Sequence, residues 1–122
     1  MVYIKSYRDL IVWQKSLELV KEIYSITLLF PKSELYILVA QMRRAAISIP
    51  SNIAEGYGRK SIKEYAQFLI IAYGSALELE TQIEIAKKLG YLTEEQSERC
   101  CRILKEVASM LNSMTLKTRT ER

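Results

Sequence analysis

The sequence predicts an all-α fold, an up-down-up-down antiparallel four-helix bundle. Three observations support this prediction. Glycine (4) and proline (2) are scarce among the 122 residues, which favours a few long elements over many short ones. Apolar residues recur at three- and four-residue steps along most of the chain, the spacing that lines one face of a helix. The connections between these segments are only two to five residues long, which makes consecutive helices antiparallel.

The first helix is predicted from about Asp9 to Leu29. Pro31 ends it, because proline lacks the amide proton and disfavours helix in the residue before it. The residues expected on its buried face are Leu10, Trp13, Leu17, Val20 and Tyr24.

The second helix is predicted to begin with Ser33 as N-cap, followed by the favourable carboxylate of Glu34. Gly56 and Gly58 are expected to end it. Its buried face is expected to contain Leu35, Leu38, Met42, Ala45, Ile49 and Ile53.

Pro50 lies inside this second helical pattern, where it removes one backbone hydrogen bond. Because Ile49 and Ile53 continue the apolar pattern past it, we expect a kinked but continuous helix. Short polar side chains nearby can bond to the freed carbonyl or to neighbouring backbone, namely Ser48, Ser51 and Asn52.

The third helix starts at a predicted capping box formed by Ser61 and Glu64 and ends before Gly90, with Lys87 and Lys88 in its last turn. It shows the most regular pattern in the chain. Its expected buried face is Ile62, Tyr65, Leu69, Ala72, Ala76, Leu79, Ile83 and Ala86.

The fourth helix opens at a second capping box, formed by Thr93 and Gln96. The pattern lapses after Met114, which indicates a frayed polar tail. We therefore expect one bundle domain over residues 1–116 and a tail over residues 117–122. The buried side of the helix is expected to contain Cys101, Leu104, Ala108 and Leu111.

Residues 65–73 of the third helix, YAQFLIIAY, are apolar in nearly every direction. A helix that is apolar all round is covered all round. Phe68 and Ile71 are therefore expected at a subunit interface, since large exposed apolar patches are uncommon on monomers. The alternative is that neighbouring helices of the same chain cover them.

The formal net charge of +4 is unevenly distributed, because residues 1–61 carry the whole excess. The stretch of residues 41–63 is basic and contains a single acidic residue, Glu55. Such an excess attracts polyanions, although a solvated basic face is an equally good reading for one copy of the chain. The candidate nucleic-acid-binding residues are Arg43, Arg44, Arg59 and Lys60.

The composition argues against catalysis. The chain has no histidine, which removes histidine-based triads and the common zinc and di-iron sites. Its two cysteines, Cys100 and Cys101, are adjacent, so neither a disulfide framework nor an activated thiol is expected. We expect no enzyme activity, no metal and no cofactor. Without an apolar run of bilayer length or a signal core, the chain is expected in the cytoplasm, away from membranes.

Four motifs occur in chain order: F-P-K-x-E, Q-x-R-R-A, S-I-P-S-N-I-A-E-G and E-L-E-T-Q. With these motifs the chain resembles, over about residues 8–114, the four-helix-bundle proteins encoded in intervening sequences of bacterial large-subunit rRNA genes. It is more distantly similar to the accessory variability determinants of diversity-generating retroelements. The resemblance implies a cyclic homopentamer. In the retroelement relatives it also implies association with nucleic acid and a reverse transcriptase.

Two functional hypotheses follow. The first is a non-enzymatic oligomeric accessory protein whose basic surface binds RNA or DNA through phosphate contacts. The second is a protein–protein scaffold that docks a partner protein without binding nucleic acid directly.

Overall fold

The computed structural model describes residues 4–120 and contains four α-helices and no β-strand within them. Helix α1 spans Ile11–Thr27, α2 Ala40–Tyr57, α3 Ile62–Lys88 and α4 Glu94–Thr120. Helices α1 and α3 each pack against both α2 and α4. The all-α prediction is confirmed.

Buried apolar side chains from all four helices form one continuous core. Two surface ion pairs, Lys15–Glu106 and Glu22–Arg99, join α1 to α4. The later of the two α1 residues pairs with the earlier of the two α4 residues, so these two helices are antiparallel. The largest fully buried side chains are Leu19, Ile23, Val39, Met42, Ile49, Ile53, Leu69, Leu79, Ile83, Leu104, Val107 and Leu111.

The predicted buried face of the first helix is wrong by one residue, or about 100° around the helix. None of the five residues predicted to be buried is more than partly buried, and Leu17 and Tyr24 are exposed. Ser16 interrupts the true apolar pattern in the sequence, but its buried hydroxyl donates to the carbonyl of Trp13 at 2.7 Å and so is satisfied in the core. The residues actually buried are Val12, Ser16, Leu19, Ile23, Ile26 and Thr27.

The second helix begins differently from the prediction. Ser33 is not an N-cap: it lies exposed within a 3₁₀ turn, Lys32–Glu34, that Pro31 precedes, and a π-helical turn, Leu35–Val39, leads into α2. The Glu34 carboxylate instead accepts a hydrogen bond from the Tyr91 hydroxyl at 2.9 Å. Leu35, expected in the core, is exposed.

Helix α2 runs through Pro50 without a break, as predicted. The amide of Asn52 donates to the carbonyl of Ser48 at 2.8 Å, and the Ser48 hydroxyl bonds to that of Ser75 on α3 at 2.8 Å. These bonds attach the proline-containing segment to its neighbour.

Gly58 caps α2 as predicted, but Gly56 is not a stop signal. It is buried in the last turn, where an added Cβ would lie 2.6 Å from the Cβ of Phe68. Gly56 therefore allows α2 and α3 to approach closely.

The starts and ends of the last two helices follow the sequence closely. Both bonds of the Thr93–Gln96 capping box are present. The predicted Ser61–Glu64 box is only half formed: the Ser61 hydroxyl accepts from the Glu64 amide at 3.1 Å, but the Glu64 carboxylate accepts from the Ser61 hydroxyl and not from the Ser61 amide. Gly90 has the positive φ, 81°, that favours glycine after a helix. In α3 the expected face is buried from Leu69 onward, although Ile62 in the first turn is exposed.

Helix α4 differs from prediction in its face and its end. Cys100 and Val107 are fully buried, whereas the expected Cys101 and Ala108 are only partly buried. The helix also continues to Thr120, so residues 115–120 do not form a frayed tail. Buried Thr115 donates its hydroxyl to the Leu111 carbonyl at 2.8 Å, which satisfies this polar group inside the bundle. Residues 121–122 lie outside the described residues.

Candidate functional site

Arg43 connects α2 to the end of α1. Its Nε donates to Oγ1 of Thr27 at 3.1 Å, and its guanidinium lies 4.4 Å from the centroid of the Tyr24 ring. A cation above an aromatic face is attracted to the ring electrons. Arg43 is therefore half-buried and engaged within the chain.

Arg44, the next residue, is exposed, as its helical position predicts. Among the described residues it has no hydrogen bond or ion pair. Its charge is therefore available to a ligand or to another protein surface.

Arg59 and Lys60 lie after the other end of α2. Arg59 forms an exposed 3.5 Å ion pair with Glu55, and its guanidinium lies 4.9 Å from the Phe68 ring centroid. An exposed pair of this kind is weak. Lys60 is exposed and has no ion pair within the described part of the chain.

The structure does not bring these four residues into one patch. Sixteen positions separate Arg43 from Arg59, which corresponds to about 24 Å along a helix. Arg43 and Arg44 lie in the half of α2 near the α1–α2 connection, whereas Arg59 and Lys60 lie at the opposite end of the bundle.

Three further cations join Arg59 and Lys60 at that end. Lys63 lies in the first turn of α3, and Lys117 on α4 lines a shared cavity with Ile62 and Tyr65 of α3. Arg8 precedes α1, and neighbouring Tyr7 lines a groove with Ala54 near the end of α2. We call this set, Arg8, Arg59, Lys60, Lys63 and Lys117, the basic end.

The acids near the basic end are used locally. Glu55 pairs with Arg59, the Glu64 carboxylate accepts from the Ser61 hydroxyl at 3.2 Å, and Asp9 accepts from the Lys5 amide at 2.9 Å. Sequence reasoning missed Arg8 and Lys117 because only the antiparallel packing of the helices brings them near residues 59–63.

The two expected interface residues have different surroundings. Phe68 is half-buried, with its Cβ against Gly56 and its ring under Arg59. Ile71 is 51% exposed. Phe68 thus has contacts within its own chain, while Ile71 does not have enough to cover it.

The opposite end of the bundle is apolar. Four side chains around the α1–α2 connection are far more exposed than apolar residues usually are: Leu28 (75%), Leu29 (81%), Tyr36 (87%) and Ile37 (60%). We call these four residues the apolar end. All four lie in segments predicted to be helical, although none of them was placed on a predicted buried face.

The side chains that could carry out chemistry do not form a reactive site. Burial raises the pKa of the Cys100 thiol to about 12, which keeps it protonated and unreactive. Half-buried Cys101 lines an open cavity of about 470 Å³ with Glu80, Glu84 and Lys105. No group of three or more acidic or cysteine side chains among residues 4–120 could hold a metal ion.

Lys87 near the end of α3 pairs with the first residue of α4. Its Nζ lies 3.2 Å from Oε1 of Glu94, and that hydrogen bond raises the Lys87 pKa.

The described helices include none long and apolar enough to cross a membrane.

Comparisons with known proteins agree with the geometry. A search of curated proteins found no match. A crystal structure from Bacteroides thetaiotaomicron, of a protein with unknown function from the S23 ribosomal protein family, superposes with a TM-score of 0.80. It is 28% identical, and the alignment covers 86% of this chain and 98% of that one. Neither this structure nor the family whose model matches the chain indicates a catalytic family. Residues 8–113 match the 23S rRNA-intervening sequence protein family, and the chain belongs to that family.

Proposed function

We propose that the protein is a non-enzymatic accessory factor that binds RNA or DNA through the basic end of an up-down-up-down bundle, assembled as a cyclic homopentamer. The observation that carries this proposal is the convergence of five cations at one end of the bundle. Three elements distant in sequence supply them: the segment before α1, the α2–α3 connection with the start of α3, and the end of α4.

Cyclic symmetry strengthens the basic end. The subunits of a ring related by one rotation axis all point the same way along that axis, so equivalent ends lie on the same face. Five copies of a chain with net charge +4 carry about +20. The five copies of the basic end would then lie together on one face of the ring.

The chemistry of the basic end favours phosphates over bases. Its aromatic rings contact each other: Tyr7 lies 5.1 Å from Trp13, and Tyr57 lies 6.1 Å from Tyr65, between centroids. Arg8 lies over both Tyr7 and Trp13. Rings used in this way are poor platforms for stacking single-stranded bases. Binding should therefore depend on charge and read little sequence.

Salt dependence tests the proposal. The native protein is titrated with fluorescent structured RNA and duplex DNA from 50 to 200 mM KCl. Phosphate contact predicts that affinity falls at least tenfold over this range, similarly for unrelated sequences. Affinity that is independent of salt, or absence of binding at 50 mM, would refute it.

A second candidate function is a scaffold for a partner protein, such as the reverse transcriptase that the family resemblance implies. The apolar end favours it, because four strongly exposed apolar side chains in one place are typical of a docking site. A pull-down after nuclease treatment tests it. The scaffold hypothesis expects one defined protein that is lost with Tyr36→Ser/Ile37→Ser and kept with Lys60→Glu.

A further inference from the structure

The outward face of α3 carries a second exposed apolar surface. Its members are spaced by four, three, four and four residues, so they share one side of the helix. Three are large apolar side chains, each 43–44% exposed. We call this set, Ile70, Gly74, Leu77, Thr81 and Ile85, the outer stripe; Ile71 lies beside it.

Gly74 is the unusual member of the outer stripe. It lies in the interior of a 27-residue helix, where glycine is unfavourable relative to alanine. Gly56 is explained by its contact with Phe68, but a Cβ at Gly74 would meet nothing within 4 Å. No packing within the chain requires this glycine. A helix surface without a side chain at this point allows another helix to approach closely.

A matching concave surface lies between α1 and α2. It is a largely apolar groove of about 320 Å³, and Leu17 and Ile47 on its walls are both exposed. The α2 wall runs from Ile47 to Ala54, about 10 Å along the helix. The two turns from Ile70 to Leu77 have the same length. The lining residues are Tyr7, Trp13, Leu17, Val20, Ile47, Pro50, Ser51 and Ala54.

Most of the exposed charges that flank the two surfaces have opposite sign, although Lys88 follows the stripe one turn beyond Ile85. Glu78 and Glu84 flank the outer stripe and are exposed. On the other side, Arg44 lies one turn before Ile47, and Lys21 follows Val20 on the α1 wall; both are exposed. Contact between the surfaces would pair the free guanidinium of Arg44 with an acidic neighbour and bury both apolar areas.

We infer that the outer stripe of one copy docks into the α1–α2 groove of the next copy. This inference deepens the proposed function, since it rests on the assembled ring and names the surfaces that join it. The stripe and the groove are different parts of the chain, so the contact is head-to-tail, the type of interface that generates rings. The α3 contact then centres on Gly74, and Arg44 belongs to the subunit interface.

Two variants that each block one surface test the inference. Gly74→Leu places a side chain in the centre of the stripe, at a position where an added Cβ meets nothing within 4 Å. Ile47→Glu places a charge in the groove. Each variant alone should lower the native mass, measured by multi-angle light scattering, from about 70 kDa for five copies to the 14.1 kDa of one chain. Ser109→Leu, on the exposed face of α4, adds the same side chain as a control and should leave the mass unchanged.

Mixing the two variants gives the sharper result. The Gly74→Leu chain keeps its groove and the Ile47→Glu chain keeps its stripe, so equal amounts should form one-to-one dimers that cannot extend. Circular dichroism checks that each variant is folded, and Ser51→Trp replaces Ile47→Glu if that chain is unfolded. A folded Gly74→Leu monomer beside a groove variant of unchanged mass would indicate a stripe-to-stripe contact and overturn the inference.

The failures of the two proposals are distinguishable. If the native protein is an oligomer and both variants keep its mass, the inferred surfaces are wrong while the ring stands. If the native protein is monomeric at 100 µM (about the upper working concentration), both the ring and its interface are refuted.

Discussion

The two ends of the bundle are built in opposite ways. The basic end is held together by aromatic and close-packed contacts, Tyr57 against Tyr65 and Gly56 against Phe68, and it presents cations to solvent. The apolar end is joined by polar bonds, Arg43 to Thr27 and Tyr91 to Glu34, in addition to one ring contact, and it presents leucine, tyrosine and isoleucine. At each end most of the exposed groups differ in kind from those that stabilise it, although Arg8 and Arg59 also contact aromatic rings. The surface chemistry of each end is therefore separable from its packing, and substitutions can change one without the other.

The largest expected effect is on nucleic-acid affinity. Lys60→Glu/Lys63→Glu reverses two exposed cations of the basic end and should lower affinity for structured RNA on the order of 100-fold at ~0.1 M salt. Lys32→Glu/Lys88→Glu makes the same change in net charge towards the apolar end and should have less than about a threefold effect. Fluorescence anisotropy measures both. Equal losses in the two variants would mean that only total charge matters and that the basic end is not a site.

The next effect is on the packing beneath the basic end. Gly56→Ala places a Cβ 2.6 Å from that of Phe68, so α2 and α3 must separate at this point. Overpacking of this kind costs about 1–3 kcal/mol of unfolding free energy. Urea denaturation of the purified protein measures the loss. The loss should appear without a change in surface charge, so salt dependence of RNA binding should keep its slope.

Gly74→Ala is the matched control for this prediction. Its Cβ meets nothing within the chain, and alanine is favoured over glycine by about 1 kcal/mol in a helix interior. In the Ile47→Glu background, where assembly is expected to be blocked, it should raise unfolding free energy. If the two glycine variants change stability alike, the close approach at Gly56 is not what holds this end.

A smaller effect is expected where Arg43 holds the apolar end. Arg43→Ala removes its bond to Thr27 and its contact with Tyr24, for a combined loss of about 1–2 kcal/mol. Lys32→Ala removes an exposed cation at the same end and should stay within about 0.5 kcal/mol of the native value. Thermal unfolding compares them. An Arg43→Ala chain as stable as Lys32→Ala would leave Arg43 available for nucleic acid, as its sequence position first indicated.

The sequence predicts features that depend on neighbouring residues and misses those that depend on distant ones. The N-cap bonds of Ser61 and Thr93 are local and form as expected, although only Thr93–Gln96 completes its predicted capping box. The predicted start of the second helix is wrong: a 3₁₀ turn and a π-helical turn precede α2, and Glu34 bonds to Tyr91, 57 positions away. The face of α1 was wrong for a subtler reason: Ser16 is polar but satisfied in the core.

The candidate site shows the same limit. A charge window identifies residues 41–63, but a linear window cannot separate Arg43 from Arg59 along a helix or bring Lys117 beside Lys63. Those relations depend on which way each helix runs and where it ends. Ile71, which the sequence predicts at a subunit interface, lies beside the outer stripe, whereas the significance of Gly74 appears only when the space around it is known.

The smallest expected effect concerns a tyrosine at each end. The pKa of Tyr91 is raised chiefly by its hydrogen bond to the Glu34 carboxylate, whereas burial raises that of Tyr65. A pKa raised in the folded state means that the native protein holds the proton more tightly. Each contribution to stability is therefore complete below the ordinary value of 10.0 and is lost as pH rises beyond it. NMR of ring-labelled tyrosine follows both groups. Glu34→Gln should lower the Tyr91 pKa towards 10.0 and leave Tyr65 unchanged, since the two ends are stabilised independently; a shift at both would show that they are coupled through the bundle.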